Sequence, residues 1–130
     1  MIVLDASAVV DWLLQTVAGQ HIEQRIYSHH DTLHTVHFID VEFVQVMRRL
    51  VREGTITSKR AEEAIDDLAA LRITRYAPVL MLQRIWRHRQ NLSAYDAAYV
   101  VLAEKLRAPL ITRDQRIAAA PGHSALVEVF

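Results

Sequence analysis

The chain has 130 residues, of which 52% are hydrophobic, with three glycines, three prolines and no cysteine. That size and composition predict one folded domain over 1–130 with a packed core, and they exclude a low-complexity or disordered chain. The absent cysteines exclude disulfides, thiolate zinc sites and cysteine nucleophiles, as expected in a reducing compartment. Formal net charge is +0, which argues against non-specific coating of nucleic acid, a task done by strongly basic proteins.

The N-terminal "MIVLDASAVVDWLL" has no basic leader, and Asp5 and Asp11 interrupt its apolar run. It reads as neither signal peptide nor membrane span, and no other stretch is long and apolar enough to cross a bilayer. A soluble, cytoplasmic protein without membrane contact is expected.

"IVLD" (2–5) is a continuous apolar run ending in an acid, the mark of a strand buried on both faces of a parallel sheet. A helix is predicted over 7–14 with Ser7 as N-cap, a second over 20–30, and a strand over 32–36. "IDVEFVQVMRRLVREG" (39–54) predicts a helix with Asp40 as N-cap, an apolar stripe of Phe43, Met47, Leu50 and Val51, and Gly54 as its stop. A further helix is expected over 57–72 with Ser58 as N-cap, then an Arg-rich helix over 79–89. "SAYDAAYVVLAEKLR" (93–107) is the clearest helix. "APLITRD" (108–114) is a second buried strand ending in an acid, followed by a short helix at 117–120 and a last strand over 125–130. Strands alternating with helices predict an α/β fold with a mostly parallel sheet.

Two buried strands thus end in an aspartate, Asp5 and Asp114. In open α/β sheets, ligands bind beyond the carboxyl ends of the strands. If the two strands are neighbours, these acids share that crevice. Glu42 and Asp96 lie in the first turns of their helices, and helix starts that follow parallel strands face the same sheet edge. Two carboxylates ~4 Å apart repel by roughly 4 kcal/mol at an effective dielectric near 20. Four together need a cation or protons. Oxygen-only ligands select hard ions such as Mg²⁺ or Mn²⁺, whose bound water suits phosphodiester hydrolysis.

Each acid also has a plainer reading. Ser93 and Asp96 form a capping box. The helix dipole favours Glu42 in any first turn, and its neighbour Asp40 is an alternative ligand. Asp114 could cap the helix that follows it. Asp5 is hardest to dismiss, because a charge directly after a buried strand needs a partner.

The blocks "VLDASAVV" (3–10), "DVEFVQVMRRLVREG" (40–54) and "NLSAYDAAYVVLAEKLRAPLITRD" (91–114), with the terminal strand, resemble the PIN-domain ribonucleases and, within them, the VapC-like toxins of toxin–antitoxin pairs. The resemblance covers nearly the whole chain. It implies a three-layer α/β/α sandwich and a Mg²⁺- or Mn²⁺-dependent endoribonuclease. By the same resemblance the four family acids fall on Asp5, Glu42, Asp96 and Asp114. Ser7 and Thr112 match its hydroxyl positions, which orient carboxylates or water around the metal. It implies a homodimer and a cognate VapB-like antitoxin that covers the groove. The match breaks after Asp114, where Gln115 and Arg116 stand in place of the further acid that some members carry.

An RNA strand also needs cations beside an acidic centre. Arg84, Arg87 and Arg89, with Trp86 and His88, are candidates, as is Arg113, against the plainer reading of a solvated helix face; Trp86 is assigned to the core rather than to base stacking, and "RRLVR" (48–52) to the surface. The histidines, including "HTVH" (34–37), form no metal set. Three rivals follow. A phosphatase or receiver domain needs a lysine at a strand end, and neither Lys59 nor Lys105 is placed for it. A PIN-fold nuclease acting on DNA or in RNA processing is closer. A non-catalytic PIN-like binding module would be marked by loss of an acid, and all four are kept.

Overall fold

The computed structural model describes residues 1–130. Five strands form one all-parallel sheet in the order β3-β2-β1-β4-β5. The strands are β1 (Ile2–Leu4), β2 (Leu33–Val36), β3 (Thr74–Tyr76), β4 (Leu110–Thr112) and β5 (Val127–Val129). Helices α1 (Ala6–Leu13) and α2 (Val17–Ser28) link β1 to β2, and α3 (Ile39–Arg52) and α4 (Ser58–Ala70) link β2 to β3. A 3₁₀ turn (Pro78–Met81), α5 (Leu82–Arg87) and α6 (Ala94–Leu106) lead to β4, and α7 (Gln115–Ala119) leads to β5. No helix is long and apolar enough to cross a membrane.

The period-two alternation of strands sorts the core into two layers. Ile2, Leu4 and Ile111 pack with the α1–α4 side, against Phe43, Met47 and Leu68. Val3, Val36 and Leu110 point the other way, onto α5 and α6. Helix α6 is buried from Ala97 to Ala103, and its small Ala97, Ala98 and Ala103 allow close approach to the sheet. The expected three-layer α/β/α sandwich is therefore present, and the sheet is wholly parallel rather than mostly so.

β1 is flanked by β2 and β4. From β1 the chain leaves toward β2, and from β4 it leaves toward β5 on the other side. The crevice beyond the ends of β1 and β4 is therefore the switch point of the sheet, where such folds bind ligands.

Several boundaries depart from the sequence expectations. Asp5, not Ser7, caps α1, accepting the Ala8 amide. Thr57, not Ser58, caps α4. Asp40 caps nothing, because α3 starts without a side-chain cap, and Asp40 instead takes Arg75 in a bidentate pair at 2.9–3.1 Å. Helix α2 begins at Val17, earlier than 20, with Thr16 as cap. The segment 79–89 divides into a 3₁₀ turn and the short α5. Pro78 starts that turn, since proline fixes φ and lacks an amide donor. Strand β3 was not expected. It is an edge strand, and "TRY" carries no apolar run. Trp86 is 62% exposed rather than in the core, with the Arg89 guanidinium 4.7 Å from its ring centre.

At Gly19 the start of α2 lies directly against the backbone of α1. A Cβ there would stand 1.8 Å from the Asp11 carbonyl oxygen. Gly19→Ala should therefore force the helices apart and lower unfolding stability by about 2–3 kcal/mol in urea denaturation. A change below about 0.5 kcal/mol would contradict this packing.

Candidate active site

Asp5 leaves β1 almost wholly buried, at 5% exposure. Its Oδ1 accepts the Ala8 amide at 2.9 Å and the Ser7 hydroxyl at 2.6 Å. Its other oxygen accepts the Thr112 hydroxyl. Ser7 Oγ in turn accepts the Arg113 amide at 3.0 Å, and Thr112 Oγ1 accepts the Asp114 amide at 3.0 Å. Two hydroxyls thus tie the end of β1 to the end of β4. Asp114 then caps α7.

Asp96 sits in the first turn of α6, where Ser93 Oγ accepts its amide at 3.1 Å. This is the helix-starting contact expected of "SAYD". Its carboxylate is left to line a cavity of about 520 Å³ shared with Asp5, Glu42 and Asp114. All four acids named from the sequence line this one cavity. Tyr99, one turn beyond Asp96, donates to Glu42 Oε1 at 2.6 Å.

The electrostatics follow from burial and like charge. Burial raises the Asp5 carboxyl above 3.8; its three hydrogen bonds oppose this, and the Asp96 charge adds to it. Burial also raises Glu42, opposed by Tyr99 and reinforced by Asp5 and Asp96. Asp96 is raised by burial, held back by Ser93 and pushed further by Asp114. Asp114 differs. The Arg116 guanidinium holds it below 3.8 through contacts at 2.8 and 3.0 Å to its two oxygens. As the side chains stand, no three histidine, aspartate or glutamate groups are grouped to hold a metal ion. Arg116 occupies Asp114, and the two hydroxyls occupy Asp5. The donor set nevertheless fits a hard cation in kind, being all carboxylate and mutually repulsive.

The cationic candidates are divided. Arg113 lines the cavity but is engaged by Asp11 and by the Phe130 carbonyl. Arg84 is away from the cavity and pairs with Glu104 at 3.0 Å. That acid lies eight residues beyond Asp96, about 12 Å along α6. Arg87 does not line the cavity either. Instead Arg49 and Arg116 do, with Tyr99 and Asp11. Arg49 is thus a surface residue, as expected of 48–52, that also borders the cavity. The i+7 spacing from Glu42 was the signal for Arg49, and the i+3 spacing from Asp96 was the signal for Tyr99. Lys59 and Lys105 lie elsewhere, at the start of α4 and the end of α6. His34 bonds to Tyr76 and Thr32.

A parallel α/β/α sandwich with four acids at its switch point defines the class. Residues 2–122 match the PIN domain model. Ribonuclease VapC9 of Mycobacterium tuberculosis is 41% identical over 117 residues, covering 90% of this chain and 88% of that one. Ribonuclease VapC12 of the same organism is 36% identical over 129 residues, covering 99% and 98%. Among solved structures, PAE2754 from Pyrobaculum aerophilum aligns with a TM-score of 0.72 at 22% identity, covering 98% of this chain and 83% of that one. VapBC2 from Rickettsia felis, bound to a DNA fragment from its promoter, aligns at 0.64 and 11% identity, covering 99% and 98%. The chain belongs to the PIN-domain family, beside relatives named VapC ribonucleases.

The raised carboxyls give a sign to the pH response. For Asp96 the folded chain binds the proton more tightly than the unfolded chain. Its contribution to stability therefore falls as pH rises from about 4 through the raised value. Asp114 acts oppositely, losing stability as pH falls through its lowered value. In EDTA, the melting temperature of Asp96→Asn relative to wild type should rise between about pH 4 and pH 7. A difference that stays constant across that range would remove Asp96 from the repulsive cluster.

Proposed function

We propose that this chain is a divalent-metal-dependent endoribonuclease acting as the toxin of a toxin–antitoxin pair. The observation that carries this reading is the shared cavity of Asp5, Glu42, Asp96 and Asp114, three of them raised by burial. The relatives named ribonucleases support the choice of RNA as substrate.

Asp5, Glu42, Asp96 and Asp114 are the residues proposed to hold Mg²⁺ or Mn²⁺. Such an ion, when bound, makes a potent nucleophile of water and stabilises charge on a phosphate oxygen. Ser7 and Thr112 fix the Asp5 carboxylate by donating to both its oxygens. Tyr99 fixes Glu42 in the same way and supports its charged form. Asp114 becomes a ligand by giving up Arg116.

A VapB-like antitoxin is the proposed inhibitor, in keeping with the neighbour named VapBC2. A homodimer is proposed with it. Leu80, Leu82 and Trp86 stand exposed, and a second copy would remove such apolar area from water.

Purified protein with Mn²⁺ should cleave a mixed RNA pool, and EDTA should stop it. Loss of groups that merely orient a metal ligand costs about 10–100-fold. Asp96→Asn and Asp114→Asn, which remove ligands themselves, should lower the rate by at least about 100-fold. Ser7→Ala should fall within the 10–100-fold range. Full activity in both aspartate variants would overturn the site, and metal-independent cleavage would overturn the mechanism.

A further inference from the structure

Three guanidiniums line the acidic cavity, those of Arg49, Arg113 and Arg116. Two are committed. Arg113 is held by Asp11 and Arg116 by Asp114. Arg49 is exposed and makes no side-chain hydrogen bond or ion pair.

Its position on α3 is specific. Glu42, Val46 and Arg49 are spaced i, i+4 and i+7, and all three line the cavity. At 1.5 Å per residue, Arg49 stands about 10 Å along the helix from Glu42. It forms no ion pair with any of the four carboxylates. The dipole at the end of α3 favours an arginine there, but Arg52 serves that last turn as well, with Arg48 just before it. Those two line a different groove, between α3 and α4. A free guanidinium that shares a cavity with the acids is placed for an anionic ligand reaching beyond them. Its planar fork of donors matches phosphate oxygens.

We infer that Arg49 binds a phosphate of the RNA strand adjoining the scissile one, so that the strand runs along α3 from the carboxylates. This rests on the nuclease reading above. It also places the cationic track on α3, where the sequence had suggested Arg84 and Arg87 on α5.

The test is fluorescence anisotropy of a short labelled single-stranded RNA, with Mg²⁺, in an Asp96→Asn background that prevents cleavage. Arg49→Ala should weaken binding several-fold and reduce the slope of log affinity against log salt by about 0.7, the value for one phosphate contact on a single strand. Arg49→Lys should restore most of the slope, because it keeps the charge. Arg48→Ala, on the other groove, should match the parent. An unchanged slope in Arg49→Ala, with RNA still bound, would overturn the inference and leave the nuclease reading standing. An equal loss of slope in Arg48→Ala would overturn it too, as a general effect of helix charge. No RNA binding by the parent at any salt concentration would overturn the nuclease reading and this inference with it.

Discussion

The buried carboxylate of Asp5 is the constraint on which the rest depends. A charge at the end of a wholly buried strand is costly unless both carboxylate oxygens find donors. Here the donors come from the Ser7 hydroxyl, the Ala8 amide and the Thr112 hydroxyl. Thr112 lies on β4, so the carboxylate is satisfied only when β1 and β4 are paired. The same contacts therefore join two non-consecutive strands and start α1. Folding and site formation share one set of hydrogen bonds.

Those bonds do not remove the repulsion. Burial and the neighbouring charges still leave Asp5, Glu42 and Asp96 with raised affinity for protons. Only Asp114 is shifted the other way, by an arginine two residues on. A fold selected for stability alone would not keep four acids around one cavity. Function is the economical explanation of a cluster that costs stability. Arg116 lies two residues beyond Asp114 and holds both its oxygens. At this position the chain brings its own cation to the fourth carboxylate.

The parts legible in the sequence were those with a strong local signal. "IVLD" and "PLITRD" each show an apolar run closed by an acid, and "SAYD" shows a cap. Glu42 was legible as an acid in a first turn with Asp40 as its rival; Glu42 lines the cavity, and Asp40 turns to Arg75 outside it. What was hidden depends on contacts distant in sequence. Strand β3 has no apolar pattern, because it sits at the sheet edge and Arg75 reaches across to α3. The cap of α1 was misplaced by two residues because "DAS" offers two capping side chains. The strand end, fixed by pairing with β4, decides between them. Arg84 and Arg87 looked suitable by composition, yet Glu104 engages one and neither reaches the cavity. Of the three arginines that do reach it, Arg113 was named from the sequence, and the other two sit at i+7 from Glu42 and i+2 from Asp114.

The conflict between capping and ligation, sharpest at Asp96, resolves at the level of atoms. At its helix start the Ser93 hydroxyl accepts the Asp96 amide. The carboxylate is not needed as the cap and can face the cavity. Asp5 and Asp114 solve the problem differently, capping α1 and α7 directly. Glu42 needs no capping role, since α3 begins without one. All four acids nonetheless lie at or within the first turn of a helix, where the positive end of the macrodipole favours negative charge by about 0.3–1 kcal/mol each. Parallel topology brings these helix starts to the same edge of the sheet. The backbone thus supplies part of the compensation for a cluster that side chains alone would not tolerate, and what remains uncompensated is the repulsion that keeps the proton affinity of Asp5, Glu42 and Asp96 raised.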